Sequence, residues 1–140
     1  MSGSLTAHLV VPVANEDDAR ATATALRKYP YDRVTVVHVV KKGGGAPDKL
    51  ALEQAEGLAK DSFTAFRNIT PDVETEIVYN EDVVGGINDL AVTVDATAVA
   101  FRPRGGSRLV QLLAGDKALR LVTETELPVI ALTDTDSEGE

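Results

Sequence analysis

Short β-branched apolar runs alternate with helical patterns along the chain. Leu5 to Val13 contains the unbroken Leu9-Val10-Val11, as expected of a strand buried on both faces. In Asn15-Glu16-Asp17-Asp18, Asn15 suits an N-cap, and three carboxylates in a first turn favour the positive end of a helix dipole. That helix should carry Arg27-Lys28 in its last turn and stop before Pro30. Val34 to Val40, with five valines in seven residues, is a second buried strand. Lys41 to Pro47, with Gly43-Gly44-Gly45 inside it, is a loop. Asp48 caps a long helix to about Asn68, whose Leu52, Ala55, Leu58, Ala59, Phe63 and Phe66 fall mainly on one stripe. Val73 to Tyr79 alternates, with Val73, Thr75, Ile77 and Tyr79 set against Glu74, Glu76 and Val78; this suits a strand with one face less covered. A third helix is expected from about Asp82 to Val94, weakened at Gly85-Gly86 by about 1 kcal/mol per interior glycine relative to alanine. Thr97 to Phe101 and Pro128 to Thr133 are the fourth and fifth strands, separated by a glycine-containing loop and a helix beginning near Asp116.

Strands separated by helices pair in parallel through right-handed crossovers, with helices on both faces. The expected fold is therefore α/β, a doubly wound (Rossmann-like) five-stranded parallel sheet. Residues 1–133 read as one domain without internal repeats. The tail 134–140, with four acids in seven residues, is expected to be frayed and disordered. Ligands of such sheets sit beyond the carboxyl ends of the strands at the topological switch point. Chemistry should accordingly lie at Ala14-Asn15, Val40-Lys41, Tyr79-Asn80 and from Arg102 onward.

Composition narrows the function classes. The chain has no cysteine, which excludes disulfides, thiolate nucleophiles, zinc–thiolate sites and cysteine-held iron–sulfur clusters. There is no run of 18 apolar residues for a membrane helix. Met1-Ser2-Gly3-Ser4 has no basic region leading into an apolar core, so a cytoplasmic protein without a signal peptide is expected. The net charge of −8 argues against a nucleic-acid partner. Only six lysines, much Asp, Thr, Val and Ala, and no tryptophan fit a halophile, such as a haloarchaeon, whose acidic surface stays hydrated in molar salt. An ordinary acidic protein is the plainer alternative.

The segment 102–120 departs from this acidity. Arg102, Arg104, Arg108, Lys117 and Arg120 stand against the single acid Asp116, so the segment is +4. Its Arg102-Pro103-Arg104-Gly105-Gly106-Ser107-Arg108 leaves the fourth strand, and Gly115-Asp116 opens the last helix. Converging backbone N–H groups before a helix N-terminus are a physical solution for holding phosphate. These bases either form an anion site or pair with acids elsewhere in the fold. Other constellations are weaker. His8 and His38 fall at opposite ends of neighbouring strands, which disfavours a shared metal; His38 should be a packed or hydrogen-bonded strand residue. Glu16-Asp17-Asp18 resembles the acidic cluster of a receiver domain, but Tyr79-Asn80 supplies no phosphoacceptor aspartate. No Ser-His-Asp arrangement or His-Glu-x-x-His is present, and no base can be assigned to Ser107.

Taken in order, these segments resemble the universal stress protein family from about Thr6 to Leu132. The resemblance rests on His8-Leu9-Val10-Val11-Pro12-Val13, Val34-Thr35-Val36-Val37-His38-Val39-Val40, Glu76-Ile77-Val78-Tyr79 and Val83-Val84-Gly85-Gly86-Ile87. It continues through Arg104-Gly105-Gly106-Ser107, Leu112-Leu113-Ala114-Gly115 and Leu127-Pro128-Val129-Ile130. It implies strand order 3-2-1-4-5 and a homodimer joined through the last strand, here Val129 to Thr133. ATP-binding members carry Gly-x-x-Gly-x9-Gly-Ser/Thr and an aspartate just after the first strand. By spacing, Gly105 and Gly115 match the second and third glycines, whereas Arg102 replaces the first, Asp116 the Ser/Thr, and Ala14 the aspartate. Arg102 puts a long side chain where bare backbone would meet a nucleotide, and Asp116 replaces a hydroxyl donor by an anion that repels phosphate. The resemblance thus implies a non-enzymatic stress protein without a cofactor or metal, acting through an unknown protein or small-ligand partner. The alternative is an ATP-binding protein with weak ATPase or sensing activity, using Pro12, Val13, Val39, Gly105 and Gly115. A third reading has another anion gripped by Arg102, Arg104 and Lys117.

Overall fold

The computed structural model describes residues 5–41, 49–102, 120 and 124–132. Strand β1 (His8–Pro12) is central, flanked by β2 (Arg33–Lys41) and β4 (Ala98–Phe101). Strand β3 (Glu74–Asn80) pairs with the outer side of β2, and β5 (Val129–Ala131) with that of β4. All pairings are parallel and the order is β3-β2-β1-β4-β5, the expected doubly wound sheet. Among the described residues, helices α1 (Glu16–Leu26), α2 (Lys49–Ile69) and α3 (Val83–Thr93) alternate with the strands.

The period of two along each strand divides the core into two layers. Leu9, Val11, Val34, Val36, Ala98 and Ala100 face α1 and α2, where Ala19, Ala23, Leu26, Phe63 and Phe66 complete one cluster. Val10, Val37 and Val99 face α3, packing on Val84, Ile87, Leu90 and Ala91. Helices thus cover both faces, and the near-continuous valine runs of β1 and β2 follow from that double burial.

Several element ends differ from expectation. β1 starts at His8 because the Thr97 hydroxyl ties the preceding turn: it accepts the His8 N–H (2.9 Å) and donates to the Leu5 carbonyl (2.8 Å). Leu5 therefore lies outside the strand and is exposed. α1 closes at Leu26 with Arg27 as its C-cap, leaving no base in its last turn. Leu58 of α2 is exposed, and burial on that helix is confined to Ala59, Ser62, Phe63, Ala65 and Phe66. Asp48 lies outside the described residues. So do Thr133, the tail 134–140 and the start of the last helix, of which Arg120 and Glu124 are described and helical.

Asp82 caps α3, its carboxylate accepting the Gly85 N–H at 3.1 Å. Gly86 has a packing role that outweighs its low helix propensity. A Cβ there would stand 3.1 and 3.3 Å from the two Val39 methyls and 3.2 Å from the Asn80 Cβ, so its absence lets α3 settle on β2. α3 ends with Asp95 in the left-handed region (φ 57), bonded to Val92, while Ala96 bonds back to Ala91. This is a Schellman closure with aspartate where glycine is commonest.

Candidate functional site

The order 3-2-1-4-5 places the topological switch between β1 and β4, so the ligand crevice of such a fold lies beyond Pro12 and Phe101. The turn after β1 is closely determined. Val13 donates its N–H to the Val37 carbonyl (3.0 Å), and its own carbonyl lies 3.1 Å from Nδ1 of the buried His38. A carbonyl only accepts, so Nδ1 carries the proton in this contact. His38 is thus the hydrogen-bonded strand residue expected from its position. Asn15 caps α1, accepting the Asp18 N–H at 2.8 Å.

Asp18 then folds back over the turn. One carboxylate oxygen, Oδ2, accepts the Ala14 N–H at 2.7 Å. The other, Oδ1, receives the Thr22 hydroxyl at 3.4 Å and lies 3.7 Å from the Arg102 guanidinium at the end of β4. The arrangement is a capping box displaced by one residue, reaching the residue before the cap rather than the cap itself. The Arg102 and Asp18 side chains are only 12% and 9% exposed, so the pair sits inside the crevice. One carboxylate therefore joins the end of β1, the first turn of α1 and the end of β4. It also meets the positive end of the α1 dipole and a guanidinium, the two features that would attract an external anion.

The residues expected at the site separate accordingly. Pro12 ends β1, and Val13, Ala14 and Arg102 converge on the crevice. Val39 packs against the α3 cluster on the opposite face. Arg104, Gly105, Gly115, Asp116 and Lys117 lie outside the described residues. Of the five bases in segment 102–120, Arg102 meets Asp18, and Arg120 clasps Asp82 through two hydrogen bonds of 2.7 and 2.6 Å while also reaching Glu124 at 3.0 Å. The Arg120 hydrogen bonds hold the Asp82 carboxyl below the ordinary aspartate range. Both of these bases pair with acids of the fold. Sequence reasoning grouped Asp18 with Glu16 and Asp17 as a dipole partner and missed its role. Its signal was position: Asp18 lines up with Thr22 and Leu26 on the buried face of α1. Among the described residues no three His, Asp or Glu side chains are grouped to hold a metal ion, and no helix is long and apolar enough to cross a membrane.

The universal stress protein from Archaeoglobus fulgidus in complex with dAMP is 20% identical, with a TM-score of 0.66 over 92% of this chain and 99% of that one. UspA from Lactobacillus plantarum is 20% identical, with a TM-score of 0.65 over 91% and 97%. A universal stress protein family member from Arabidopsis thaliana with AMP bound is 13% identical, with a TM-score of 0.58 over 93% of each chain. The fold is that of the universal stress proteins. At these identities the likeness is one of fold, and it extends over nearly the whole of each chain. No protein-family model and no curated protein matches the sequence.

Proposed function

We propose that this chain is a universal-stress-type protein, a non-enzymatic homodimer of the cytoplasm that acts through contact with a protein or small ligand. The fold supports the family reading, and the Asp18–Arg102 pair supports a site altered away from ordinary ATP binding. That pair is the observation on which the functional reading rests, because the Asp18 carboxylate accepts the Ala14 N–H and faces the Arg102 guanidinium, two groups that would otherwise be open to a phosphate. β5 ends the sheet, and its outer edge is the proposed dimer contact. Calorimetry with ATP and magnesium, in dilute buffer and in molar salt, tests the silent site: no saturable heat is expected, and tight binding would overturn it.

A second reading, nucleotide sensing with weak ATPase activity, is favoured by the dAMP and AMP complexes of the structural relatives. It would use Pro12, Val13, Val39, Gly105 and Gly115. The two readings also differ constructively. Restoring Ala14→Asp, Arg102→Gly and Asp116→Ser should create nucleotide affinity only when Asp18 is replaced as well. Removing Arg102 alone leaves the Asp18 carboxylate in the crevice.

A further inference from the structure

We propose that Asp18 is the crevice's own resident anion, an autoinhibitory carboxylate that holds the place of a ligand phosphate and keeps phosphate-bearing ligands off Arg102 and the Ala14 N–H. The inference rests on the reading above that this crevice is the ligand site, and it assigns the cause of its silence to a residue outside the glycine loop. Asp18 does what a bound phosphate oxygen would do there. It accepts a backbone N–H released at the end of β1 (2.7 Å), takes a hydroxyl from Thr22 (3.4 Å), and faces a guanidinium (3.7 Å) from the neighbouring strand end.

The contrast with its neighbour locates the effect. Asp17, one residue earlier in the same helical turn, has a side chain 99% exposed and, among the described residues, pairs with Arg20 of its own helix, whereas the Asp18 side chain is 9% exposed. Dipole stabilisation alone requires no such burial, since a carboxylate at the surface of the first turn provides it. Asp18 instead crosses the switch point. An external phosphate monoester must displace it to reach the same donors, and must do so against an intramolecular competitor that pays no entropy of association.

The experiment uses inorganic phosphate as probe, with the full chain and calorimetric or chemical-shift titration. Asp18→Ser vacates both the charge and the space and should bind phosphate at least tenfold more tightly than the native chain. Asp18→Asn removes the charge but still covers the Ala14 N–H, and should give a smaller gain. Adding Arg102→Gln to Asp18→Ser should abolish the gain. Folded Asp18 variants with native phosphate affinity would overturn the proposal, as would a gain that survives Arg102→Gln. Where Asp18→Ser does not fold, Asp18→Asn carries the test. Where neither folds, the Ala14 amide of the native chain decides. An amide resonance unmoved by millimolar phosphate supports the block, and one that shifts to saturation refutes it. Tight ATP binding by the native chain would defeat the silent-site reading by itself. The present inference fails separately, when phosphate affinity proves indifferent to Asp18.

Discussion

At the amino end of the sheet, His8, Thr35, Glu74 and Arg33 form one chain of polar contacts across β1, β2 and β3. At the carboxyl end, His38 and the β1 turn, with Asp18 and Arg102, form another. Each joins a buried histidine, a backbone end and an arginine–carboxylate pair. His8 Nε2 meets the Thr35 hydroxyl at 2.8 Å, and Arg33 grips Glu74 through two bonds of 3.1 Å. The difference is exposure: the Arg33 and Glu74 side chains are 57% and 55% exposed, against 12% and 9% for Arg102 and Asp18. In water a well-formed pair is screened and contributes little. In the crevice, a longer contact matters more because each charge depends on the other to offset desolvation. Geometry alone would rank the two pairs in the wrong order.

The largest expected effect follows from this contrast. Arg102→Ala leaves the buried Asp18 carboxylate without its guanidinium and should cost about 3 kcal/mol of unfolding free energy. That figure is at the low end for a broken buried pair, because the Ala14 N–H and Thr22 hydroxyl remain as donors. Replacing both charges, as in Arg102→Met with Asp18→Leu, should recover much of the loss, since a buried pair is not intrinsically better than matched apolar packing. Arg33→Ala at the other end should shift the denaturation midpoint by only a small fraction of the Arg102→Ala effect. Urea titrations of the four chains check the ranking. Equal losses at the two ends would abolish the comparison.

The same contrast explains how much was legible in the sequence. The valine runs of β1 and β2 announced strands buried on both faces, and Asn15 announced a helix cap that the structure retains. Such signals are local: periodicity and capping need only neighbouring residues. The strand order came from the family resemblance, because alternation of strands and helices does not itself choose among parallel orders. Asp18 was hidden for another reason. Its partner Arg102 is 84 residues away, and a carboxylate in a first turn already has an adequate local explanation. The replaced positions Ala14 and Arg102 were visible, but the residue that joins them was not. The glycine loop's contribution remains with Arg104, Gly105, Gly115, Asp116 and Lys117, outside the described residues.

Acid should separate the two ends next. Burial lowers the pKa of His8 from 6.5, with Arg33 adding to the effect and Glu74 opposing it. The folded state therefore resists protonation that the unfolded chain accepts. The His8 contribution is fully present above pH 6.5 and is lost as pH falls through that value toward the lower folded pKa. Glu74 is also lowered, from 4.5, chiefly by the Arg33 hydrogen bond, so its contribution is lost only further into acid. Between pH 7.5 and about 5.5, the native chain should lose stability, and His8→Gln should flatten most of that dependence. The measurement is the urea midpoint of each at both pH values. A slope unchanged by His8→Gln would place the titrating group elsewhere and remove the amino end from the account.

The smallest effect concerns the turn that brings the chain back to the amino end. Asp95 holds a φ of 57, where an L-residue's Cβ crowds its own backbone, and the Ala96 to Ala91 bond requires that conformation to close α3. Asp95→Gly removes the crowding but gives the unfolded chain more freedom, so the net gain should be about 0.5 kcal/mol. Asp95→Ala removes the polar side chain while keeping the Cβ, and should be destabilising. Asp95 also lies within the field of His8, raising its pKa slightly against the burial effect. Losing that carboxylate should therefore deepen the acid loss assigned to His8 even as neutral-pH stability rises. The two signs, opposite in one variant, are expected only of the amino end. Asp95→Gly should leave phosphate affinity at the crevice unchanged, alone or combined with Asp18→Ser. If it altered that affinity, the two ends of the sheet would be coupled through β4 and could no longer be treated as independent sites.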